Sequence, residues 1–301
     1  MSRLEVRNRL LHLHYGQILT NQQLIQWLEI DPTFIYWERK IPPFWPRLPS
    51  LTVTQQFQLR NYHATYHSTS LPYNLFLQNT NFMTILDTDY PPQLKEIWDP
   101  PVILYAKGDL EKLQSTFFLA VVGARKSDHY TMQSLKTIVP ALLTRDVCIV
   151  SGMAAGADGQ AHWLSLKGST IGVLGSGFDH LYPAVHAELY QEMITHQLLL
   201  SEYPPFISPQ KRFFPMRNRI IAGLSRGVLV TQAAVRSGSM ITVDRALEEG
   251  RDVFAVPGPI HHELSMGTNY LIQQGAKLVT NSKDIMEEWG MEENPPQSLL
   301  K

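Results

Sequence analysis

The chain has 301 residues, of which 44% are apolar and 18% charged, enough for a sizeable core and unlike the composition of a disordered protein. Its 26 Lys and Arg balance 27 Asp and Glu, so bulk charge offers no attraction for an anionic partner, and any such attraction must be local. One cysteine, Cys148, excludes a disulfide framework; no window approaches the roughly 18 apolar residues of a membrane span, and the expectation is a cytoplasmic protein with no membrane contact.

From Leu4 to about Asn79 apolar residues recur at helical spacing, as in Leu4-Leu10-Leu11 and Leu24-Ile25-Trp27-Leu28, and glycine is nearly absent. The proline group IPPFWPRLP at 41–49 interrupts it. We expect a small domain of short helices over 1–79, with Trp27, Trp37 and Trp45 in its core. A Pro-rich connection follows, and VILYAKGD at 102–109 reads as a strand and a turn.

After residue 115 the rhythm changes to short β-branched runs, each followed by glycine or a polar turn and then a helical segment. The runs are FFLAVVG (117–123), VCIVSG (147–152), TIGVLGSG (170–177), QLLLSE (197–202), GVLVTQ (227–232), DVFAVPG (252–258) and AKLV (276–279). Amphipathic segments run from Asp158 to Lys167, Pro183 to His196 and Ser239 to Glu249. Parallel strands need crossover connections, usually helices, so the pattern predicts an α/β, Rossmann-like, doubly wound and mostly parallel sheet over 80–290, with a C-terminal tail at 291–301. Cys148, inside VCIV, reads as a small buried side chain.

In such a sheet ligands bind outside the carboxyl ends of the strands. That edge carries Gly123-Ala124-Arg125, Ser151-Gly152, Gly175-Ser176-Gly177, Glu202, Gln232 and Pro257-Gly258. The dinucleotide fingerprint GxGxxG is missing: VVGARKSDHY has one glycine where three are needed, and GSGFDHL lacks the third. There is no Walker A sequence, HExxH pair or GxSxG elbow, so no cofactor, metal or catalytic residue is assigned. Asp158 and His162, four apart on one helix, could bind a metal or exchange protons; the plainer reading is Asp158 at the helix N-terminus with His162 packed behind it. The doublet His261-His262 reads as exposed turn.

The cations remain. KRFFPMRNR at 211–219 places four fixed positive charges and two phenylalanines in nine residues without a carboxylate, and Arg125 and Lys126 follow the first strand of the sheet. Guanidinium groups bind phosphates and a phenylalanine offers a flat face to a base, a combination that holds single-stranded nucleic acid without reading sequence. In the plainer reading Arg217 or Arg219 pairs with an internal acid such as Glu202.

The ordered series VGARKSDHY, SGMAAGADGQAH, GVLGSGFDHLYP, LLLSEYPP, FFPMRNRIIAGLSRGVLV, RSGSMIT and ALEEGRDVFAVPG resembles the DprA (Smf) family of DNA-processing proteins, from about Tyr90 to about Val279. The resemblance implies an extended Rossmann domain that binds and shields single-stranded DNA and helps load the recombinase RecA during natural transformation. It also implies a non-enzymatic homodimer, often with a helical N-terminal domain. A winged-helix-like C-terminal domain, carried by some members, is not expected here.

Carried over by position, Gly123, Ala124 and Arg125 match the G-S/A-R motif, with Arg125 at a phosphate. Lys211 and Phe214 match a basic-x-x-Phe pattern, with Lys211 at phosphate and Phe214 lining the nucleotide pocket, and Arg217, Asn218 and Arg219 form the RNR segment. The nucleic-acid-binding set also takes in Lys126, Ser151, Gly152, Gly175, Ser237 and Gly238. Two positions depart from the family: Ala155 stands in SGMAAGAD where many members carry Lys or Arg, and Gln232 where Glu is common. The alternative is a nucleotide-processing Rossmann enzyme resembling the nucleoside monophosphate phosphoribohydrolases, but their PGGxGTxxE motif is not matched by RSGSMITVDRALE, where Glu248 is displaced. The segment YLIQQGAKLV and the last helix, Ser282 to Trp289, are the expected association surfaces.

Overall fold

The computed structural model describes residues 3–38, 51–66 and 80–291. The proline group at 41–49 with Trp45, the stretch 67–79 and the tail from 292 onward lie outside the described residues. Two compact units are present. The first comprises Met1–Lys107, Ser176–His180 and Leu200–Ser208, and the second Gly108–Gly175, Leu181–Leu199 and Pro209–Lys301.

The first unit begins with helices α1 (Arg3–Tyr15), α2 (Asn21–Ile30), α3 (Ile35–Glu38) and α4 (Val53–Thr65). Thr20 and Thr52 start α2 and α4 with reciprocal capping boxes to Gln23 and Gln55, which satisfy amide groups that a helix start leaves unpaired. Trp27, Phe34 and Trp37 are fully enclosed with Leu10, Leu24 and Leu59, as the aromatic content implied, whereas Leu4 is exposed. Two strands, β1 (Asn81–Thr84) and β2 (Ile103–Gly108), pair antiparallel with Phe82 opposite Tyr105. The intervening connection holds a single turn, α5 (Pro92–Lys95), and is tied down by the Tyr90 hydroxyl donating to the Pro101 carbonyl at 2.7 Å. Strand β2 matches VILYAKGD; β1 is an addition, because four residues are too few for an alternation signal.

The remaining elements, all in the second unit except the last two residues of β6, are β3 (Phe117–Val122), α6 (His129–Leu143), β4 (Val147–Ser151), α7 (Ala157–Ser165), β5 (Thr170–Leu174), α8 (Ala187–His196), β6 (Leu198–Ser201), α9 (Phe213–Leu224), β7 (Gly227–Val230), α10 (Gly238–Glu248), β8 (Asp252–Ala255), α11 (Glu263–Gln273), β9 (Lys277–Leu278) and α12 (Ser282–Glu288). The spatial order is β6-β5-β4-β3-β7-β8-β9. Strand β3 pairs parallel with both β4 and β7, and the parallel pairing continues through β5 on one side and through β8 and β9 on the other. The chain therefore winds outward from β3 in one direction and then returns to build outward from β7, the arrangement of a Rossmann-like doubly wound fold. Its order reverses between β3 and β7, which opens a crevice at their carboxyl ends.

Alternation places Leu119, Val121, Ile149 and Leu229 against Leu135, Ile138 and Val139 of α6 and against Ile285 and Trp289 at the chain's far end. This corrects one expectation: α12 turns Ile285, Met286 and Trp289 into the core of its own unit and does not offer them as an association surface. Helix α9 packs on β3, β4 and β5. Cys148 is fully enclosed, and burial pushes its thiol up to about 12. Among the described residues no helix is long and apolar enough to cross a membrane.

Ile149 is fully buried at the centre of the sheet. Ile149→Ala should lower the unfolding free energy by about 2–5 kcal/mol, read as an earlier denaturation midpoint in urea followed by circular dichroism; a shift below about 1 kcal/mol would contradict this packing.

Candidate nucleic-acid interface

The chain leaves β3 through Gly123, Ala124 and Arg125, a turn pinned on both sides. The Ala124 amide donates to the Gln232 carbonyl at 2.7 Å, beyond the end of β7, and the Ala124 carbonyl accepts from the Ala157 amide at 3.2 Å, at the start of α7. Gly156, just before α7, has φ +78°, and a Cβ there would lie 2.3 Å from the Ala124 carbonyl oxygen, so only glycine lets the loop pass beneath this turn. The Gln232 side chain adds a clasp of its own, its oxygen accepting from the Thr131 hydroxyl at 2.6 Å and the Asp128 amide at 3.3 Å. Arg125 and Lys126 emerge from this rigid turn with their side chains exposed.

Helix α9 supplies the second group of cations. Lys211 and Arg212 stand exposed before its first turn, and Phe214 is partly exposed in it. Arg217 is different. It is only 4% exposed, and its guanidinium donates from Nη1 to the Gly152 carbonyl at 2.5 Å and to the Val173 carbonyl. A Cβ on Gly152 would fall 2.4 Å from Arg217 Nη2, so glycine is needed for this approach. The loop after β4 also feeds Asp158, whose carboxylate accepts from the Gly152 amide at 3.0 Å and the Ala154 amide at 3.3 Å. Burial pushes the Asp158 carboxyl upward, and the Arg217 charge and these amides pull it back. His162 sits one turn behind, fully enclosed, with Nδ1 2.7 Å from the Thr170 hydroxyl. Asp158 thus works at the start of α7, as the plainer reading had it.

Asn218 joins α9 to the start of α10, donating to the Gly238 carbonyl at 3.3 Å while its oxygen accepts from Arg217 Nε at 3.2 Å. Arg219 is buried and donates to the Met216 carbonyl at 3.2 Å. His262 belongs elsewhere on the unit, 3.2 Å from the Asp128 carboxylate.

These elements enclose an open cavity of about 620 Å³ at the point where the strand order reverses. Ten of the fourteen residues expected at the site line it: Gly123, Ala124, Arg125, Lys126, Lys211, Phe214, Arg217, Asn218, Ser237 and Gly238. Ser151, Gly152, Gly175 and Arg219 do not. Ser151 is buried with its hydroxyl bonded to the Val121 carbonyl, Gly152 is engaged by Arg217, Gly175 lies beneath the Phe214 ring, and Arg219 faces its own helix. Periodicity could have turned Arg217 inward, since Arg217, Ile220, Ile221 and Leu224 fall at i, i+3, i+4 and i+7 and are all buried, but it gives no sign that Arg219 is buried as well. Tyr182 also lines the cavity and was not singled out from sequence, although it follows the carboxyl end of β5.

Residues 81–290 match the family model described as DNA recombination-mediator protein A. The chain belongs to this family. It is 38% identical over 292 residues to DNA processing protein DprA of Bacillus subtilis, an alignment covering 91% of this chain and 92% of the relative. It is also similar in structure to DprA from Streptococcus pneumoniae, with TM-score 0.83 and 38% identity over 93% of this chain and 97% of the other. DNA processing protein A from Helicobacter pylori, whose structure gives insight into its single-stranded DNA binding mode, superposes with TM-score 0.64 at 30% identity over 69% of this chain and 95% of its own. The family resemblance read from the ordered motifs is therefore correct, and the cavity lies within the matched region.

Burial, then the nearby His186 and Arg217, lower the pKa of His162 from 6.5 to about 3. An imidazole neutral in the folded chain but protonated in the unfolded one contributes stability that is complete above 6.5 and lost as pH falls from there toward 3. His12 and His14, lowered by burial to about 4 and about 3, act in the same direction. The denaturation midpoint should fall between pH 7 and pH 5, and His162→Gln should flatten that dependence by about 2 kcal/mol. An unchanged slope would contradict the buried neutral imidazole.

Proposed function

We propose that the crevice between β3 and β7 holds single-stranded DNA, that the protein shields the strand and passes it to RecA during natural transformation, and that it does so without making or breaking a bond. The observation that carries this reading is the distribution of charge around the cavity. Arg125, Lys126 and Lys211 are exposed at its lip beside the partly exposed Phe214, while Asp158 is the one carboxylate among the lining residues and is turned inward onto backbone amides. A surface of this kind attracts phosphates and offers a ring to an unstacked base, which duplex DNA would keep hidden. The amide groups at the start of α10, where Ser237 and Gly238 face the cavity, add a further anion-binding element.

The single-stranded DNA binding of the H. pylori relative supports the ligand, and the family's description as recombination mediators supports the RecA step. In this reading 80–290 is the DNA-binding domain, with the helical segment 1–79 as an appendage, and the protein acts in the cytoplasm. Tyr270 and Leu278, within YLIQQGAKLV, are exposed apolar groups that support the homodimer. Asp158, held by amides at its helix start, and Glu248, exposed and paired with Arg245 at 2.6 Å, support a holding role over hydrolysis of a nucleotide.

In a gel-shift assay at two salt concentrations, single-stranded DNA should bind more tightly than duplex. Lys211→Glu should weaken binding to all sequences alike and flatten the salt dependence by about 0.7 in log K against log salt. Equal affinity for both DNA forms, or release of free base from a nucleoside monophosphate by the purified protein, would overturn the reading.

A further inference from the structure

The Phe214 ring is hemmed in. It lies over Gly175, where an added Cβ would be 2.9 Å from the ring; the Arg125 guanidinium sits 5.6 Å from its centroid, and the Tyr182 ring 5.3 Å from it at 38°. Tyr182, by contrast, is 47% exposed and lines the same cavity, and among the described residues no hydrogen bond engages its hydroxyl. An aromatic side chain this open, backed by a second ring, has a free face where Phe214 has neighbours. A base arriving at the crevice meets the tyrosine.

We propose that Tyr182 is a base-stacking residue of the single-stranded DNA site, with Phe214 as the ring behind it and Arg125 completing the layer. The inference rests on the DNA-binding reading above and deepens it: the strand's path extends from the cationic lip onto the segment that follows β5. Stacking on a phenol ring is tolerant of base identity and independent of counterion release, so its contribution differs in kind from that of Lys211. The hydroxyl is not needed for it, because the π face does the work.

The test measures the affinity of the full chain for a labelled oligothymidylate and for an abasic oligonucleotide of the same length, by fluorescence anisotropy over a range of salt. Tyr182→Ala should weaken oligothymidylate binding about tenfold with an unchanged salt slope, leave abasic binding within about twofold, and Tyr182→Phe should bind like the parent. Thermal midpoints of both variants establish that the fold is kept, and Tyr182→Phe, which preserves the ring, separates loss of stacking from loss of structure. Oligothymidylate affinity undiminished in Tyr182→Ala while Lys211→Glu loses it would overturn the stacking inference and leave the DNA-binding reading standing. Equal losses for the abasic and the base-bearing strand would likewise overturn it. If neither variant changes affinity, the DNA-binding reading fails along with it.

Discussion

A guanidinium buried beneath the ends of two parallel strands fixes the geometry of the whole crevice. Arg217 reaches back from α9 to the Gly152 and Val173 carbonyls, and Asp158 reaches from α7 to the Gly152 and Ala154 amides. One short loop after β4 therefore satisfies a buried cation through its carbonyl and a buried carboxylate through its amides. A charge withdrawn from water is tolerated only when its hydrogen bonds are replaced, so neither helix can drift without exposing the cost of the other. The consequence is felt at the surface, because the turn of α9 that carries Phe214, and Lys211 just before it, is held beside the pinned turn that carries Arg125.

This division of labour explains how a chain with formal net charge −1 presents a cationic lip. The RNR segment was expected in the nucleic-acid-binding set, yet its two arginines are buried and bonded to backbone carbonyls, and Asn218 ties α9 to the start of α10. The cations facing solvent lie on the flanks: Arg125 and Lys126 after β3, and Lys211 and Arg212 before α9. Their fields are exposed to salt, so any attraction they exert on phosphates weakens as ionic strength rises.

Much of the fold was legible because its signals are local. Each β-branched run from FFLAVVG to AKLV became a strand, trimmed by one to three residues where the run continued into its turn. The four-residue β1 was not, since pairing with β2 decides it and four residues carry no periodicity of their own. At the site, position along the sheet edge pointed to Gly123, Ala124, Arg125 and Lys126, and the cation cluster with the family motifs to Lys211, Phe214, Arg217 and Asn218, all of which line the cavity, but neither signal could say which face of a helix each residue would take. Ser151 and Gly152 occupy the right edge and yet serve the inside of the protein, Ser151 through Val121 and Gly152 through Arg217. The same limit hid Tyr182, which stands near the end of the motif GVLGSGFDHLYP but whose place beside Phe214 follows from the loop's path.

The most direct test of the Arg217 brace is the unfolding free energy of Arg217→Met, measured by chemical denaturation alongside single-stranded DNA affinity. Loss of the donors to two carbonyls and of the charge beside Asp158 should cost at least about 3 kcal/mol of stability, with affinity falling as a consequence of the displaced helix. A variant as stable as the parent that nevertheless loses DNA binding would place this guanidinium on the phosphate backbone and contradict the account.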